Sequence, residues 1–308
     1  MSEVRRVAAV DCGTNSIRLL VADVQDGRLT DVLRAMQIVR LGEGVDRTGR
    51  LAPAAIERTR VALEEYVGQI RDAGARRVRM VATSASRDAE NRDDFRQTVL
   101  ATLGAEPEVV SGDEEARLSF LGATADLPDL EAPYLVADIG GGSTELVLGE
   151  AEVTAARSVD IGCVRMTERH LHDDPPTPAQ VLAATRDIRA AIELARETVP
   201  VEQARALIGL AGSVTTVAAL ALQLPGYDPA RIHHARISYD HVAAVTAGLL
   251  AMPRSERAAL PVMHPGRVDV IGAGALVLRV LMEQVGADSV IASEHDILDG
   301  IAFALARG

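Results

Sequence analysis

The segment Val10-Asp11-Cys12-Gly13-Thr14-Asn15-Ser16-Ile17-Arg18-Leu19-Leu20 returns 127 residues later as Ala137-Asp138-Ile139-Gly140-Gly141-Gly142-Ser143-Thr144-Glu145-Leu146-Val147. In each copy an apolar run leads to an aspartate, then a turn rich in glycine and hydroxyl residues, then a second apolar run, Ile17 to Ala22 or Leu146 to Leu148. Apolar runs bounded by such turns predict a tight β-hairpin. The glycines let the backbone approach a ligand closely, and successive amides in the turn form a concavity for an anion. A carboxylate at the head of the turn repels phosphate directly, so its expected task is to hold a divalent cation between itself and the phosphates. One copy alone is explained by an ordinary glycine turn. Two copies about one domain apart point to a duplicated fold whose loops face each other as a clamp for a metal-bound phosphate chain.

Bulk properties narrow the chemistry. At 308 residues the chain is long enough for two domains with buried cores. All 32 basic residues are arginine, and the absence of lysine excludes a Walker A loop, a kinase-type lysine and Schiff-base chemistry. A net charge of −12 argues against nucleic acid as a partner. An anionic ligand must then be attracted locally, by loops, metal and a few arginines. Cys12 and Cys163 lack metal-ligand spacing and read as packed, reduced thiols of a cytoplasmic protein. Asp11 cuts the first apolar run, which argues against a secretory signal. Ala206 to Tyr227 carries no formal charge and is long enough for a membrane span. Gly209, Gly212, Ser213, Thr215 and Thr216 within it favour instead a buried strand, a glycine turn and a buried helix, so no membrane association is expected.

Strands are expected near 4–10, 16–24 and 29–39, followed by a helix that Pro53 opens, with Ile56, Leu63, Val67 and Ile70 on one face. A strand at 78–83, a helix capped by Asn91 through Asp94, a strand at 107–110 and a helix from Ser111 follow. The second half repeats the order, with strands at 134–138, 144–149 and 153–160, a helix at 178–198 and a strand at 205–210. Helices at 239–251 and 267–285, a strand at 289–293 and a helix from about 296 close the chain. Pro128, Pro133 and three acids mark a boundary between Ala123 and Pro133. The expected domains are 1–124 and 125–308, with the last helix, about 296–307, able to pack back on the first.

The duplication resembles the actin, Hsp70 and sugar-kinase superfamily. That resemblance implies an α/β fold of two actin-like (ribonuclease H-like) domains in βββαβα order, with an interdomain active-site cleft. Within the superfamily, Ala82-Thr83-Ser84-Ala85-Ser86-Arg87-Asp88-Ala89-Glu90-Asn91, Val110-Ser111-Gly112-Asp113-Glu114-Glu115-Ala116 and Asp138 to Glu145 resemble the signatures of the exopolyphosphatase and guanosine pentaphosphate phosphohydrolase family. The likeness continues through Gly209–Thr216 to Ser293–Gly300. It implies a cytoplasmic hydrolase of the stringent response, dependent on Mg2+ or Mn2+, which releases the terminal phosphate of polyphosphate, here short chains, or of guanosine pentaphosphate. A kinase or ATPase of the superfamily and a non-catalytic sensor of polyphosphate or alarmones are the alternatives, and a homodimer is compatible with either. Two departures bear on chain-length preference: longer members continue into a further C-terminal helical region, and Ser-Glu-His-Asp-Ile-Leu-Asp-Gly lacks the arginine usual before the final Glu-Gly.

Residue types suggest roles. Ser111 and Glu114 form a capping-box pattern, which accounts for Glu114. Glu115 lies about 100° further round the helix and is ionised at its ordinary pKa. The family's catalytic glutamate falls on Glu115, where it orients and deprotonates the attacking water; the plain alternative is a solvated first-turn acid. Arg87, in a loop with Ser84, can fork onto phosphate oxygens or pair with Asp88 or Glu90. Asp11 and Asp138, and after them Glu145, are the expected metal ligands. Phosphate contacts are expected from Gly13, Thr14, Asn15 and Ser16, from Ser84 and Arg87, from Gly140, Gly141, Gly142, Ser143 and Thr144, and from Gly212, Ser213 and Arg267, the last within an Arg-x-Asp pattern with Asp269. His233, His234, His264 and His295 lack metal-binding spacing, and the His295-Asp296 pair reads as chance.

Overall fold

The computed structural model describes residues 3–128 and 130–307. Among them the chain forms two compact units, residues 3–124 with 296–307, and residues 125–295.

The sheet of unit 1 is built from β1 (Arg5–Cys12), β2 (Ser16–Gln25), β3 (Arg28–Ile38), β4 (Arg77–Ala82) and β5 (Glu108–Val109) in the order β3-β2-β1-β4-β5. β1 pairs antiparallel with β2 and parallel with β4. From Val7 to Cys12 every residue of β1 is buried, as a central strand covered on both faces requires. Alternation assigns the faces. Ala8 and Val10 join Ile17, Leu19, Leu63, Tyr66 and Phe95 beneath the helices Pro53–Asp72 and Arg92–Leu103. Val7 and Ala9 face Leu118 of the helix Gly112–Thr124 and Leu298, Ile301 and Phe303 of the closing helix Ile297–Arg307. Each such large side chain, once buried, contributes about 1.5–3 kcal/mol. This explains why the last helix completes the first unit although 171 residues of unit 2 intervene.

Unit 2 contains β6 (Tyr134–Ile139), β7 (Thr144–Gly149), β8 (Val153–Val159), β9 (Ala206–Leu210), β10 (Arg236–Ser238) and β11 (Ser289–Ala292), ordered β10-β11-β9-β6-β7-β8. Apart from the edge strand β10, this is the order of unit 1. Pro178 opens the helix Pro178–Arg196 behind a Thr177–Gln180 capping box. The helix Ile271–Val285 is apolar nearly all round and runs through the core.

Several local expectations change. Asn91 makes no cap bond; its side-chain amide donates to the Leu51 carbonyl and its oxygen accepts from the Leu51 amide, which ties two loops together. The segment after β4 is a short helix, Ser84–Asp88, where a loop is expected. An unforeseen helix covers Cys163–His170. The helix expected from 267 begins at Ile271 after a single 3-10 turn, Pro265–Arg267. The uncharged stretch from Ala206 is strand and then helix, and no helix among the described residues is long and apolar enough to cross a membrane.

Candidate active site

The two hairpins close identically. In the first, the Gly13 amide donates to the Ser16 carbonyl at 3.0 Å, and in the second the Gly140 amide donates to Ser143 at 3.0 Å. Those two amides are therefore used within the turns. Among the described residues the amides of Thr14, Asn15, Gly141, Gly142 and Ser143 donate to no main-chain carbonyl.

The two hairpins differ in charge. Asp11 lies directly opposite Arg18 in the β1–β2 ladder, and Asp138 lies directly opposite Glu145 in β6–β7. In unit 1 the Asp11 carboxylate accepts from Arg18 Nε and Nη2 at 3.0 and 2.7 Å, and Arg18 also pairs with Asp296. Burial pushes the Asp11 carboxyl above the usual carboxylate range despite Arg18. Burial and the neighbouring Asp11 also push the Cys12 thiol up, which keeps it protonated. Asp11 Oδ1 is buried and without a hydrogen-bond partner. In unit 2, Asp138 and Glu145 are 7% and 1% exposed, so the solvated outward acid considered for Glu145 is not what the fold makes. Glu145 Oε1 accepts from Ser158 Oγ at 2.7 Å. Two buried carboxylates on one face of a ladder repel each other, and a divalent cation relieves that repulsion. Their oxygen donors suit a hard ion such as Mg2+ or Mn2+, so the residues present fit the metal best at the second hairpin.

In unit 1 a line of contacts leads away from the first loop. Thr14 Oγ1 and Ser84 Oγ share a 2.8 Å hydrogen bond, which joins the loop to the helix Ser84–Asp88. Arg87, at the other end of that helix, donates through Nη1 to Glu115 Oε2 at 2.9 Å and to the Val110 carbonyl at 3.2 Å. Glu115 stands in the first turn of Gly112–Thr124 and is 7% exposed, whereas its neighbour Glu114 is half-buried, with its amide on Ser111 Oγ. The helix thus separates a buried carboxylate from one that lies 3.5 Å from Arg79 Nη2. Arg87 pairs with Glu115 at shorter range than with Asp88, at 4.0 Å.

Unit 2 braces its loop from behind. The Gly141 carbonyl accepts from the Val164 and Arg165 amides, and Arg165 Nε donates to Gly142 O at 2.7 Å. Thr144 Oγ1 donates to the Ile161 carbonyl and so acts within the fold. A Cβ on Gly162 would come within 2.2 Å of the Gly141 carbonyl oxygen, so only glycine permits this approach. The third loop is absent as such: β9 passes straight into the helix Ala211–Ala221 through Ala211 at φ 66°, and Gly212 and Ser213 lie in its first turn. Arg267 covers that turn. A Cβ on Gly212 would lie 2.2 Å from its guanidinium, and Arg267 Nη1 donates to Thr216 Oγ1 at 3.2 Å. The Arg-x-Asp pair separates, because Asp269 bonds Arg254.

Two features escaped the sequence reading. Arg18 occupies in the first copy the place of Glu145 in the second, seven residues after each aspartate, and aligning the copies reveals it. The histidines judged to lack metal-binding spacing converge: His233 and His295 both meet Asp126, with His234 beside them.

The chain is a duplicated α/β fold with a glycine-rich hairpin in each unit, an acidic pair in one and a buried glutamate–arginine pair in the other. Residues 20–307 match the model of the Ppx/GppA phosphatase family. The chain belongs to that family, whose members hydrolyse phosphoanhydride bonds. It is 54% identical to exopolyphosphatase 2 of Mycobacterium tuberculosis H37Rv over 98% of both chains. The crystal structure of an exopolyphosphatase-like protein aligns with a TM-score of 0.96 at 45% identity, covering 98% of each chain. The Ppx-GppA enzyme of Aquifex aeolicus aligns with a TM-score of 0.82 at 32% identity over 98% of this chain and all of its own.

Proposed function

We propose that this protein is a cytoplasmic exopolyphosphatase in which Glu115 activates the water that attacks the terminal phosphorus of polyphosphate. The observation that carries the mechanism is the Glu115 carboxylate, buried in the first turn of its helix and held 2.9 Å from Arg87. A buried base with a fixed guanidinium beside it is placed to take a proton from water, while the arginine receives phosphate oxygens. The amides of Thr14 and Asn15 and those of Gly141 to Ser143 bind non-reacting phosphates, with Ser84 fixing the first loop through Thr14. Asp138 and Glu145 would hold Mg2+ or Mn2+ at the second hairpin, and Asp11 Oδ1 is the matching oxygen of the first; the ion would supply neutralisation of the charge developing on the phosphates. Arg267 contributes positive charge at the start of the helix Ala211–Ala221.

Polyphosphate is favoured over guanosine pentaphosphate by the 54% identity to an exopolyphosphatase along the whole chain. The net charge of −12 gives no long-range attraction for an extended polyanion, so short chains are the expected substrates. Phosphate release measured over defined polyphosphate lengths and guanosine pentaphosphate, with Mg2+ or Mn2+, tests this reading. It predicts the highest kcat/KM on short polyphosphates. Faster release from guanosine pentaphosphate would replace the substrate, and phosphate transfer to an added acceptor would replace the reaction.

A further inference from the structure

We propose that Asp126, His233 and His295 form a second cation site in unit 2, selective for a borderline ion such as Zn2+ or Co2+, with His234 as an additional ligand. Asp126 Oδ2 lies 3.1 Å from both His233 Nε2 and His295 Nδ1, and the three donor atoms all fall within 4.8 Å of one another. Bonds of about 2.1 Å in a tetrahedral site put ligand atoms about 3.4 Å apart, so small side-chain shifts bring this triad to coordinating geometry.

His234 supplies an independent pointer. Its Nε2 is buried without a hydrogen-bond partner, 3.7 Å from Asp126 Oδ1. Its backbone is left-handed at φ 63°, a costly state for a residue other than glycine, and its amide is anchored to the Ala292 carbonyl at 2.7 Å. That conformation holds the ring against His233, with centroids 3.7 Å apart, while His295 lies 4.5 Å from His233. Three imidazoles round one carboxylate favour Zn2+, Co2+, Ni2+ or Cu2+ over Mg2+, which prefers oxygen ligands and keeps its water.

Binding has an identifiable proton rearrangement. His233 Nδ1 accepts the Glu294 amide at 3.2 Å, which puts the proton of the neutral ring on Nε2, facing Asp126. Coordination through Nε2 moves that proton to Nδ1 and gives up the amide bond. The consequence is topological as well, because Asp126 and His295 stand at the two ends of unit 2, Ala125–His295. A cation held there joins the segment that enters the unit to the one that leaves it and stabilises the folded state by mass action.

The test is a Co2+ titration of the untagged full chain, followed by visible absorption, with Zn2+ and Mg2+ as competitors and melting temperature as a second readout. The expected result is one saturable Co2+ per chain with the spectrum of a nitrogen-ligated site, displaced by Zn2+ and not by excess Mg2+, together with a higher melting temperature. His295→Ala and Asp126→Asn are each expected to weaken binding by more than about 100-fold, and His241→Ala to leave it unchanged. If a variant fails to fold, paramagnetic broadening in the wild type decides: His233, His234 and His295 signals disappear first if the site exists. No saturable band, Mg2+ displacement, or an unaltered band in His295→Ala would overturn the proposal.

Discussion

Arg87 Nη1 lies 2.9 Å from Glu115 Oε2, across 28 residues of sequence. The sequence suggested that the arginine binds phosphate and the glutamate handles water; the structure puts the two groups in contact. On the proposed function, a phosphate bound by the guanidinium shares it with Glu115, so substrate binding changes the surroundings of the base. Arg87→Gln is expected to raise KM for polyphosphate and to lower kcat, a loss of kcat/KM of roughly 100-fold or more for a charged, bidentate donor. Steady-state kinetics check this. If only the melting temperature falls while KM and kcat hold, Arg87 serves the fold alone.

On the proposed function the metal sits at Asp138 and Glu145, which face each other across the ladder, whereas Asp11 is paired with Arg18. Chelation is expected to abolish turnover. Glu145→Gln should raise the Mg2+ concentration for half-maximal rate well beyond the rise seen with Asp11→Asn. Titrating Mg2+ against rate distinguishes the two hairpins, and equal shifts in both variants would make the metal site symmetric.

Asp296 carries a pH signature. Burial pushes its carboxyl up, but the charge and hydrogen bond of Arg18 outweigh this and hold it below the usual carboxylate range. A carboxylate whose folded pKa is depressed stabilises the fold above its unfolded pKa of about 3.9, and this stabilisation is lost as pH falls through the folded value. Asp296→Asn should therefore destabilise unit 1 by roughly 3 kcal/mol near neutrality, the low end for a broken buried pair, since Asp11 still holds Arg18. The difference in melting temperature from the wild type should shrink below about pH 4. A pH-independent difference would assign the effect to packing.

Much of this was legible along the chain. The apolar run Val7–Val10, the Gly13–Ser16 and Gly140–Ser143 turns and the Pro53 helix are local patterns whose periodicity survives in the fold. The helix Cys163–His170 was not, because it has eight residues, no side-chain cap and a start fixed by the approach of Gly162 to Gly141. Ala211 adopts a left-handed backbone that its side chain does not advertise, so a turn was expected where a helix begins. The histidine cluster was hidden for another reason: His233 meets Asp126 over 107 residues, a pairing that only tertiary structure creates.

The most direct measurement compares phosphate release from a short polyphosphate by Glu115→Gln and Glu114→Gln, with melting temperatures recorded for both. Glutamine keeps the shape of Glu115 and removes its basicity, so kcat is expected to fall by roughly 10² to 10⁴ with little change in melting temperature. Glu114→Gln, at a half-buried side chain beside Arg79, is expected to retain most of the wild-type rate. Turnover in Glu115→Gln within a few-fold of wild type, or an equal loss in both variants, would contradict the assignment of Glu115 as the base.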